Sequence, residues 1–426
     1  MVTPQSTVDS RYRVPWARRG SVLDHTDLAA LTEVVQSGDP LSQGGWRTRF
    51  EERFRAHIGS RHAVSVTSGT VALELAIHLL DLEPGDEVVV TPQTYQGTIQ
   101  PLLDYDVDVR FCDIDPVSLN LDPDALRPLL SRRTKAILLV HFGGYPARMD
   151  EIMALARPRG ITVVEDCAHA LGAAYHARRP GALGDLGCFS FHSSKNITTL
   201  GEGGMITCHR EDWAERLERL RSNEIDGTFS SAPWPADPPV ALPWMKYSAD
   251  VYRHSCTGIR RAGTNATLSE AAAAVGLAQL DKLDALVERR RAIAARIDDV
   301  LGGYPFVRVP TTPGGVRHAC HLYTFFVAER EIRDELIRVL DRRGVEIQLR
   351  YFPLHLTPEW RHRGHGDGEC PVAERLWFEQ HVNLPCHPEL TDDQVRYLLD
   401  VLDDSLRELA GSVPRPSRRP RRIPCR

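Results

Sequence analysis

Short apolar segments that alternate with helical patterns occupy most of the chain between residues 63 and 208. Strands rich in Val, Ile and Leu at successive positions are buried on both faces, which is typical of a parallel sheet covered by helices. Five such strands are predicted: AVSV (63–66), EVVV (87–90), VRFCDI (109–114), AILLV (136–140) and TVVED (162–166). The pattern therefore predicts an α/β fold with a mostly parallel central sheet. In such folds ligands bind in the loops beyond the carboxyl ends of the strands.

Helical periodicity explains the segments between these strands. Residues 71–80 carry Ala72, Leu75, Ala76 and Leu79 on one face, which indicates an amphipathic helix. Further helices are predicted at 27–36, 49–58 and 150–156. A long helix, or two adjoining helices, is predicted at 268–301.

The length of 426 residues is large for one hydrophobic core, so two domains are expected. We predict a polar, irregular arm at 1–23, a large α/β domain at 24–267, and a bridging helix with a smaller α+β domain at 268–410. The small domain should contain strands at 323–328 and 345–350 and helices at 332–342 and 392–409. The Pro-rich residues 223–265 are predicted to form a long irregular loop, and the basic residues 411–426 a disordered tail.

Composition excludes several classes of protein. The net charge of -5 provides no overall basic field for nucleic acid. No apolar run approaches the roughly 18 residues that a membrane helix needs, and the first residues lack the apolar centre of a signal peptide. We therefore expect a cytoplasmic protein with no nucleic-acid partner and no membrane association.

Cysteine and histidine spacing does not indicate a metal site. The nine cysteines are scattered without paired spacing, so we interpret them as reduced, structural thiols. No cluster has the spacing of a zinc site, and no metal is expected. His318 and His321 could share one helix face, where a packed or surface pair is favoured over a metal site.

Two loops that follow predicted strands carry residues suited to a phosphate and an aromatic ring. Ser68, Gly69 and Thr70 come directly after strand 63–66 and open the next helix, where free N–H groups and the helix dipole favour an anion. The same three residues would also make an ordinary helix cap. Tyr95 lies in the loop after strand 87–90, where it could stack on a flat ring or simply pack.

Two further loops carry an acid and a lysine. Asp166 ends strand 162–166, where a carboxylate could keep a ring nitrogen protonated or could cap a helix. Lys195 follows the next apolar segment and is one of only four lysines in a chain with 52 basic residues. An amine has an accessible neutral form and can make a Schiff base, which a guanidinium cannot. Ser190 or Ser193 adds hydroxyl donors, and residues 201–204 (Gly-Glu-Gly-Gly) allow a tight turn.

The order of these parts is more specific than any one of them. A phosphate-binding turn, an aromatic residue, an acid at a strand end and a lysine after the next strand together predict a site for pyridoxal 5′-phosphate (PLP). A nicotinamide dehydrogenase is disfavoured, because Ser-Gly-Thr follows the first strand where that class has G-x-G-x-x-G.

The chain resembles the DegT–StrS family of fold-type-I, PLP-dependent aminotransferases, which act on keto sugars and cyclitols. The resemblance extends from about residue 41 to residue 409. The matching segments are SGTVALELA (68–76), PGDEVVVTPQTY (84–95), TKAILLVHFGG (134–144), VEDCAHALGA (164–173), GDLGCFSFHSSKN (184–196), GEGGMIT (201–207), AAAVGLAQLDKLD (272–284), ELIRVLDRRGVEIQLRYFPLH (335–355), PVAE (371–374) and NLPCHPELTDDQ (383–394).

The resemblance implies a role for each residue of the site. Lys195 is the Schiff-base and proton-transferring lysine, Asp166 pairs with the ring nitrogen, and His169 lies beside the phenolic oxygen of the cofactor. Tyr95 stacks on the ring. The phosphate is held by Ser68, Gly69, Thr70 and Ser190. Asn265 is expected to reach the phosphate in the neighbouring subunit, which implies a homodimer with shared active sites.

The resemblance also implies the reaction. We expect an aminotransferase that moves an amino group from glutamate or glutamine to a keto sugar or keto cyclitol, in aminoglycoside or other secondary-metabolite biosynthesis. Two alternatives remain open, a PLP-dependent sugar dehydratase and a non-catalytic regulator on the same fold. Some family members that catalyse dehydration carry His in place of the lysine, so Lys195 favours transamination. The sequence does not rank Arg253, Arg260, Arg261 and Arg350 as partners for an acceptor diphosphate.

Overall fold

The computed structural model describes residues 11–42, 44–222, 227–229, 256–258 and 263–410. The strands are β1 His62–Val66, β2 Glu87–Val90, β3 Asp108–Phe111, β4 Thr134–Val140, β5 Thr162–Asp166, β6 Ala174–Tyr175, β7 Leu186–Ser190, β8 Gly204–Cys208, β9 Gly227–Phe229, β10 Cys256–Gly258, β11 Val307–Arg308, β12 Val316–Arg317, β13 Tyr323–Val327 and β14 His381–Leu384. The α-helices are α1 His25–Ser37, α2 Gly45–Ile58, α3 Gly69–His78, α4 Pro123–Leu126, α5 Met149–Ala156, α6 Glu211–Arg221, α7 Glu270–Leu301, α8 Arg330–Arg342, α9 Pro358–Arg361, α10 Pro371–Arg375 and α11 Asp392–Ala410.

Seven strands form the central sheet, in the order β1-β8-β7-β5-β4-β2-β3. The five strands from β3 to β7 in this order are parallel to one another, which confirms the predicted mostly parallel sheet. β8 is antiparallel to both of its neighbours, so β1 again runs in the direction of β7. The carboxyl ends of β1, β2, β5 and β7 therefore lie at one edge of the sheet. The loops that follow these four strands are the loops that the sequence singles out.

The predicted strands of the central sheet occur within a few residues of their expected bounds. β2 and β5 coincide with the predicted segments, and β2 is buried at all of its positions. The apolar segments mark these strands because helices cover both faces of the sheet. Burial of an apolar side chain then stabilises the fold on either face.

The helix α7 is one continuous helix of 32 residues that contributes to two hydrophobic cores. Its N-terminal part, up to Val287, packs Leu283 and Val287 into the core beside α2 and β7. Its second half packs Ile293 and Ile297 into a separate core with β13, α8 and α11. This second core contains the antiparallel sheet β11-β13-β14. The boundaries at residues 24, 268 and 410 stay predictions.

The structure contradicts the predicted strand at 345–350. Only Val345 makes a β-bridge, with Val14 of the N-terminal segment. The Glu346 N–H group donates to Val14 O, and the Arg350 N–H group donates to the Asn383 side chain, so these groups have no neighbouring strand as their partner. The segment is consequently extended but unpaired. The strand β14 was not predicted, and it takes the place beside β13.

Residues 11–23 are irregular, as expected, but they are not a polar arm on the surface. Val14 is fully buried, and Trp16 joins the main core of the sheet. Residues 1–10 and the predicted tail at 411–426 lie outside the described residues. Of the predicted loop at 223–265, the structure describes the antiparallel pair β9 and β10 and residues 263–265, while Arg253, Arg260 and Arg261 lie outside it.

The cysteines in the described part of the chain are all free and buried, in agreement with structural thiols. None of the described helices combines the length and the hydropathy that a membrane span requires.

Candidate active site

The turn between β1 and α3 forms a compact cradle with the end of β7. The Ser68 hydroxyl caps α3 by accepting the Val71 N–H group at 3.2 Å. A Cβ atom on Gly69 would lie 2.6 Å from Cβ of Ser190, and one on Gly204 would lie 2.4 Å from Ser68 O. Glycine at both positions lets the turn lie close against β7 and β8, and the side chains of Ser68, Thr70 and Ser190 line one cavity at a helix N-terminus, a favourable place for a phosphate.

Asp166 is fixed at the end of β5 by two donors. Its Oδ2 atom accepts the Thr98 hydroxyl at 2.6 Å, and its Oδ1 atom accepts the Ala168 N–H group at 2.9 Å. Thr98 in turn shares a hydrogen bond of 2.7 Å with the Thr94 hydroxyl. The carboxylate is buried. These contacts hold the carboxylate in one orientation, as a partner of a protonated ring nitrogen requires.

His169 lies in a stack of rings beside Asp166. Its ring is nearly parallel to that of His321, with centroids 4.3 Å apart, and its Nε2 atom is 3.3 Å from the Tyr351 hydroxyl. Its Nδ1 atom is buried and has no hydrogen-bond partner in the described structure. Burial, reinforced by the charges of Lys195 and Arg350, holds the pKa of His169 well below its usual value. The imidazole is therefore neutral at pH 7.

Lys195 follows β7 in a turn closed by its own N–H group, which donates to His192 O at 2.8 Å. Burial lowers the pKa of Lys195 to about 8; the Asp166 and Glu202 carboxylates oppose this shift, and the Arg350 charge reinforces it. A much larger fraction of the amine is thus neutral near pH 7 than in an exposed lysine. The neutral amine is the form that reacts with a carbonyl group.

Tyr95 begins the helical turn Gln96–Thr98 after β2. Its side chain is 50% exposed, and its ring centroid is 6.1 Å from that of Tyr351. A Cβ atom on Gly97 would lie 3.1 Å from the Tyr95 ring and 3.0 Å from the Thr70 hydroxyl, so the main chain at Gly97 passes close to both side chains. One ring face stays available for a planar ligand.

A cavity of about 250 Å³ brings most of the predicted site residues together. The predicted residues that line it are Ser68, Gly69, Thr70, Tyr95, Asp166, His169, Ser190 and Lys195. Asn265 is exposed and is not among the lining residues; it pairs with Ser222 in an isolated bridge. Its expected role toward a neighbouring subunit stays a prediction. Ser193, the alternative to Ser190, is also absent from the lining.

Several residues of the site were missed or only partly recognised in the sequence. The sequence left open whether His318 and His321 share a helix face and favoured a packed or surface pair; residues 318–322 belong to no helix, and His321 packs against the His169 ring. Its Nδ1 atom is 3.1 Å from Asn196 Oδ1, next to Lys195. Tyr351 lies in RYFPLH (350–355), one of the segments that match the family, and this match was the sequence feature that could have identified it. No sequence pattern identifies Thr98 as a site residue, since it contacts Asp166, which lies 68 residues away along the chain.

One buried group of potential metal ligands is found among the described residues, His141, Glu165 and Cys167. The His141 ring already accepts the Ala147 N–H group at Nδ1 and bonds to Glu165 through Nε2 at 2.8 Å. Glu165 also accepts N–H groups of the loop at 181–184. Because both ring nitrogens and the carboxylate have protein partners, the group is a structural network.

These features fit PLP. The cradle supplies donors for a phosphate, Asp166 supplies a negative charge for a pyridinium nitrogen, and the unpartnered Nδ1 atom of His169 supplies a group for the phenolic oxygen. Lys195 provides an amine with a lowered pKa in the same cavity. The fold and the site together define a PLP-dependent transferase of fold type I.

Comparison with known proteins gives the particular family. Residues 22–403 match the DegT/DnrJ/EryC1/StrS aminotransferase family, and the chain belongs to it. It is a PLP-dependent aminotransferase of a family that acts on sugars.

One relative and two solved structures illustrate the similarity. The dTDP-3-amino-3,4,6-trideoxy-alpha-D-glucose transaminase of Streptomyces venezuelae is 34% identical over 380 residues, which cover 88% of this chain and 90% of the relative. The aminotransferase TlmJ from Streptoalloteichus hindustanus superposes with a TM-score of 0.81 at 32% identity, covering 93% of this chain and 100% of TlmJ. The S. venezuelae DesV structure in complex with a ketimine intermediate superposes with a TM-score of 0.77 at 32% identity. The superposition covers 89% of this chain and 94% of DesV.

Proposed function

We propose that this aminotransferase moves an amino group from L-glutamate or L-glutamine to a ketone on a sugar or cyclitol ring. The observation that carries the proposal is the presence of Lys195, with a pKa of about 8, in the same cavity as Asp166 and the phosphate cradle. The S. venezuelae relative is named for a dTDP-linked amino sugar, which supports a nucleotide-linked keto sugar as the acceptor.

Bound PLP supplies an electron sink for negative charge at the α-carbon of the donor. The protein residues do the rest. Lys195 Nζ would remove the α-proton of the donor and deliver a proton to C4′ of the cofactor, because its lowered pKa makes the neutral and the protonated amine both accessible near neutral pH. Asp166, held by Thr98 and Ala168, would place its carboxylate against the ring nitrogen of the cofactor and favour the protonated form of that nitrogen.

The neutral His169 and the Tyr351 hydroxyl contribute a second set of polar contacts. His169 Nδ1 has no protein partner and would take the phenolic oxygen of the cofactor as one. Tyr351 hydrogen-bonds to the other ring nitrogen of His169, and this contact fixes the rotation of the imidazole. The rings of Tyr95 and Tyr351 lie near each other in the lining of the cavity, with centroids 6.1 Å apart.

The proposal includes an assembly and a location. A homodimer would bring the exposed Asn265 of one subunit to the phosphate cradle of the other, and the protein would work in the cytoplasm. We assign the reaction to the biosynthesis of an aminoglycoside or another secondary metabolite. The molar mass of the purified protein in solution tests the first of these statements.

The reaction is tested in two separate halves. The yellow PLP form is mixed with L-glutamate, L-glutamine or L-alanine, and the loss of its visible absorbance is followed. The resulting pyridoxamine-phosphate form is then offered dTDP-linked keto sugars, free keto sugars and inososes, and the return of the absorbance is recorded. Transfer of nitrogen to a product supports the proposal. A deoxy-keto product formed without amine transfer would establish a dehydratase instead.

A further inference from the structure

A second cavity adjoins the cofactor cavity on the other side of Lys195. It measures about 370 Å³ and lies among the N-terminal segment, α7 and residues 348–351. The two cavities share five lining residues: His192, Ser194, Lys195, Arg350 and Tyr351. A ligand in the second cavity would therefore lie next to the reactive amine.

The wall of the second cavity is strongly cationic. Its lining residues include Arg18, Lys195, Arg290 and Arg350 and contain no aspartate or glutamate. Arg290 is almost completely buried, and its guanidinium donates to the carbonyl groups of Gly20 and Cys386, which leaves its positive charge without a counterion there. Charges of one sign in a cleft of low dielectric constant attract a ligand of the opposite sign.

Arg350 is placed to contact such a ligand beside Lys195. Its Nη2 atom donates to Gln348 Oε1 at 2.7 Å. In the stretches that the structure describes, no carboxylate lies within ion-pair distance of its guanidinium. A guanidinium binds a carboxylate through two parallel hydrogen bonds, so the remaining donors of Arg350 suit an anionic ligand.

Arg18 is placed farther along the same cavity and does not line the cofactor cavity. Its side chain is 52% exposed and lies 3.3 Å from Glu346 Oε2. That carboxylate also accepts the Trp16 N–H group and a Gln348 N–H group. The Glu346 carboxylate therefore accepts from several donors at once. The other N–H groups of the Arg18 guanidinium stay available to a ligand in the cavity.

We propose that the second cavity is the subsite for the carboxylates of the amino donor. Arg350 binds the α-carboxylate next to Lys195, and Arg18 binds the side-chain carboxylate of glutamate. The inference rests on the proposed function. A phosphate group of the acceptor offers the same anionic chemistry, and the experiment separates the two sources.

The experiment uses the PLP-loaded enzyme with the substitutions Arg350→Gln and Arg18→Gln. The matched control is Arg19→Gln, because Arg19 is the exposed neighbour of Arg18 and lines neither cavity. Dissociation constants for glutarate and for dTDP are measured by calorimetry. The half-reactions with L-glutamate, L-glutamine and L-alanine are followed by absorbance. Retention of the yellow colour and an unchanged melting temperature show that each variant is folded.

Arg350→Gln is expected to weaken all three amino donors about 10- to 100-fold, the usual effect of losing charge-assisted hydrogen bonds. Arg18→Gln is expected to weaken glutarate and L-glutamate about tenfold and to leave L-alanine unchanged. Arg19→Gln should match the wild type.

Two outcomes would overturn the inference. Loss of dTDP affinity in both variants, with donor and glutarate binding unchanged, would identify an acceptor-phosphate subsite. No change for any ligand would show that neither arginine binds an anion. A wild-type enzyme that binds glutarate but reacts with no amino donor would contradict the proposed function while leaving the anion subsite testable.

Discussion

Gly20 of the N-terminal segment packs directly on the main chain of Lys195. A Cβ atom on Gly20 would lie 2.2 Å from Lys195 O and 2.0 Å from Ser194 O. The Gly20 N–H group donates to Ser193 O at 2.8 Å, and Gly20 O accepts from Arg290. The N-terminal segment thus supports the lysine turn from behind.

Replacing Gly20 with alanine should disturb this support. The added methyl group meets backbone atoms that cannot move aside easily, so we expect the free energy of unfolding to fall by about 1–3 kcal/mol and PLP to bind less tightly. Urea denaturation and PLP titration measure the two effects. Gly314→Ala is the control, since a Cβ atom there meets nothing within 4 Å. Equal stability and PLP affinity in the two variants would rule out the proposed contact.

Lys195→Ala should remove the yellow colour of the PLP-loaded protein and abolish transamination, because no other lysine lines the cofactor cavity. Lys135→Ala is the matched control, as Lys135 is an exposed residue of β4. Borohydride reduction followed by mass spectrometry should add the mass of the cofactor at position 195 in the control and at no position in Lys195→Ala. Normal turnover of Lys195→Ala would refute the assignment.

Asp166→Asn keeps the shape of the side chain but removes its charge. The ring nitrogen of bound PLP would then lose its ionic partner, and we expect turnover to fall by roughly 10²–10⁴-fold with the fold unchanged. Thr98→Val removes one of the hydrogen bonds to Asp166, and should lower turnover by about tenfold. Steady-state kinetics measures the turnover of both variants, and circular dichroism checks that both are folded. An Asp166→Asn enzyme as fast as the wild type would eliminate the pyridinium role.

The pH dependence of PLP capture by the cofactor-free protein should follow the Lys195 amine. Its pKa of about 8 lies below the ordinary value of 10.5, so the reactive neutral fraction should rise with pH and level off above pH 8. Arg350→Gln removes a neighbouring positive charge, which should raise this pKa and move the midpoint to higher pH. Stopped-flow absorbance gives the capture rate at each pH. A wild-type midpoint near that of free lysine would contradict the lowered pKa.

Glu165→Gln tests the buried network that holds the loop at 181–184. The side-chain NH₂ group of the glutamine would face the N–H groups of the loop, which are themselves donors. The hydrogen bond to His141 would no longer involve a carboxylate. Leaving buried hydrogen-bond donors without an acceptor costs about 1–3 kcal/mol of stability. Glu215→Gln, at an exposed position of α6, serves as the control. Thermal denaturation of both variants provides the comparison, and equal melting temperatures would argue against a structural role.

The sequence was most informative where a residue acts through its own segment. β2 and β5 are predictable because their apolar residues are buried on both faces; Tyr95 lies in the loop after β2, and Asp166 is the last residue of β5. The predicted strand at 345–350 failed because strand formation depends on a partner, and its Val345 meets Val14 from the far end of the chain.

The same distinction separates the site residues. Ser68 and Lys195 follow strands directly and are recognisable from their local context. Arg18 approaches the site only because Gly20 and Trp16 attach the N-terminal segment to distant parts of the chain. These contacts join residues more than 150 positions apart, and no hydrophobic periodicity in the sequence indicates them.

The five residues that line both cavities have a practical consequence for redesign. A substitution at Arg350 or Tyr351 alters the cofactor cavity and the cavity proposed for the amino donor at once. Leu73 borders only the first chamber and Leu384 only the second. Both leucines also belong to hydrophobic cores, so libraries aimed at one chamber should use apolar replacements of similar size at these positions.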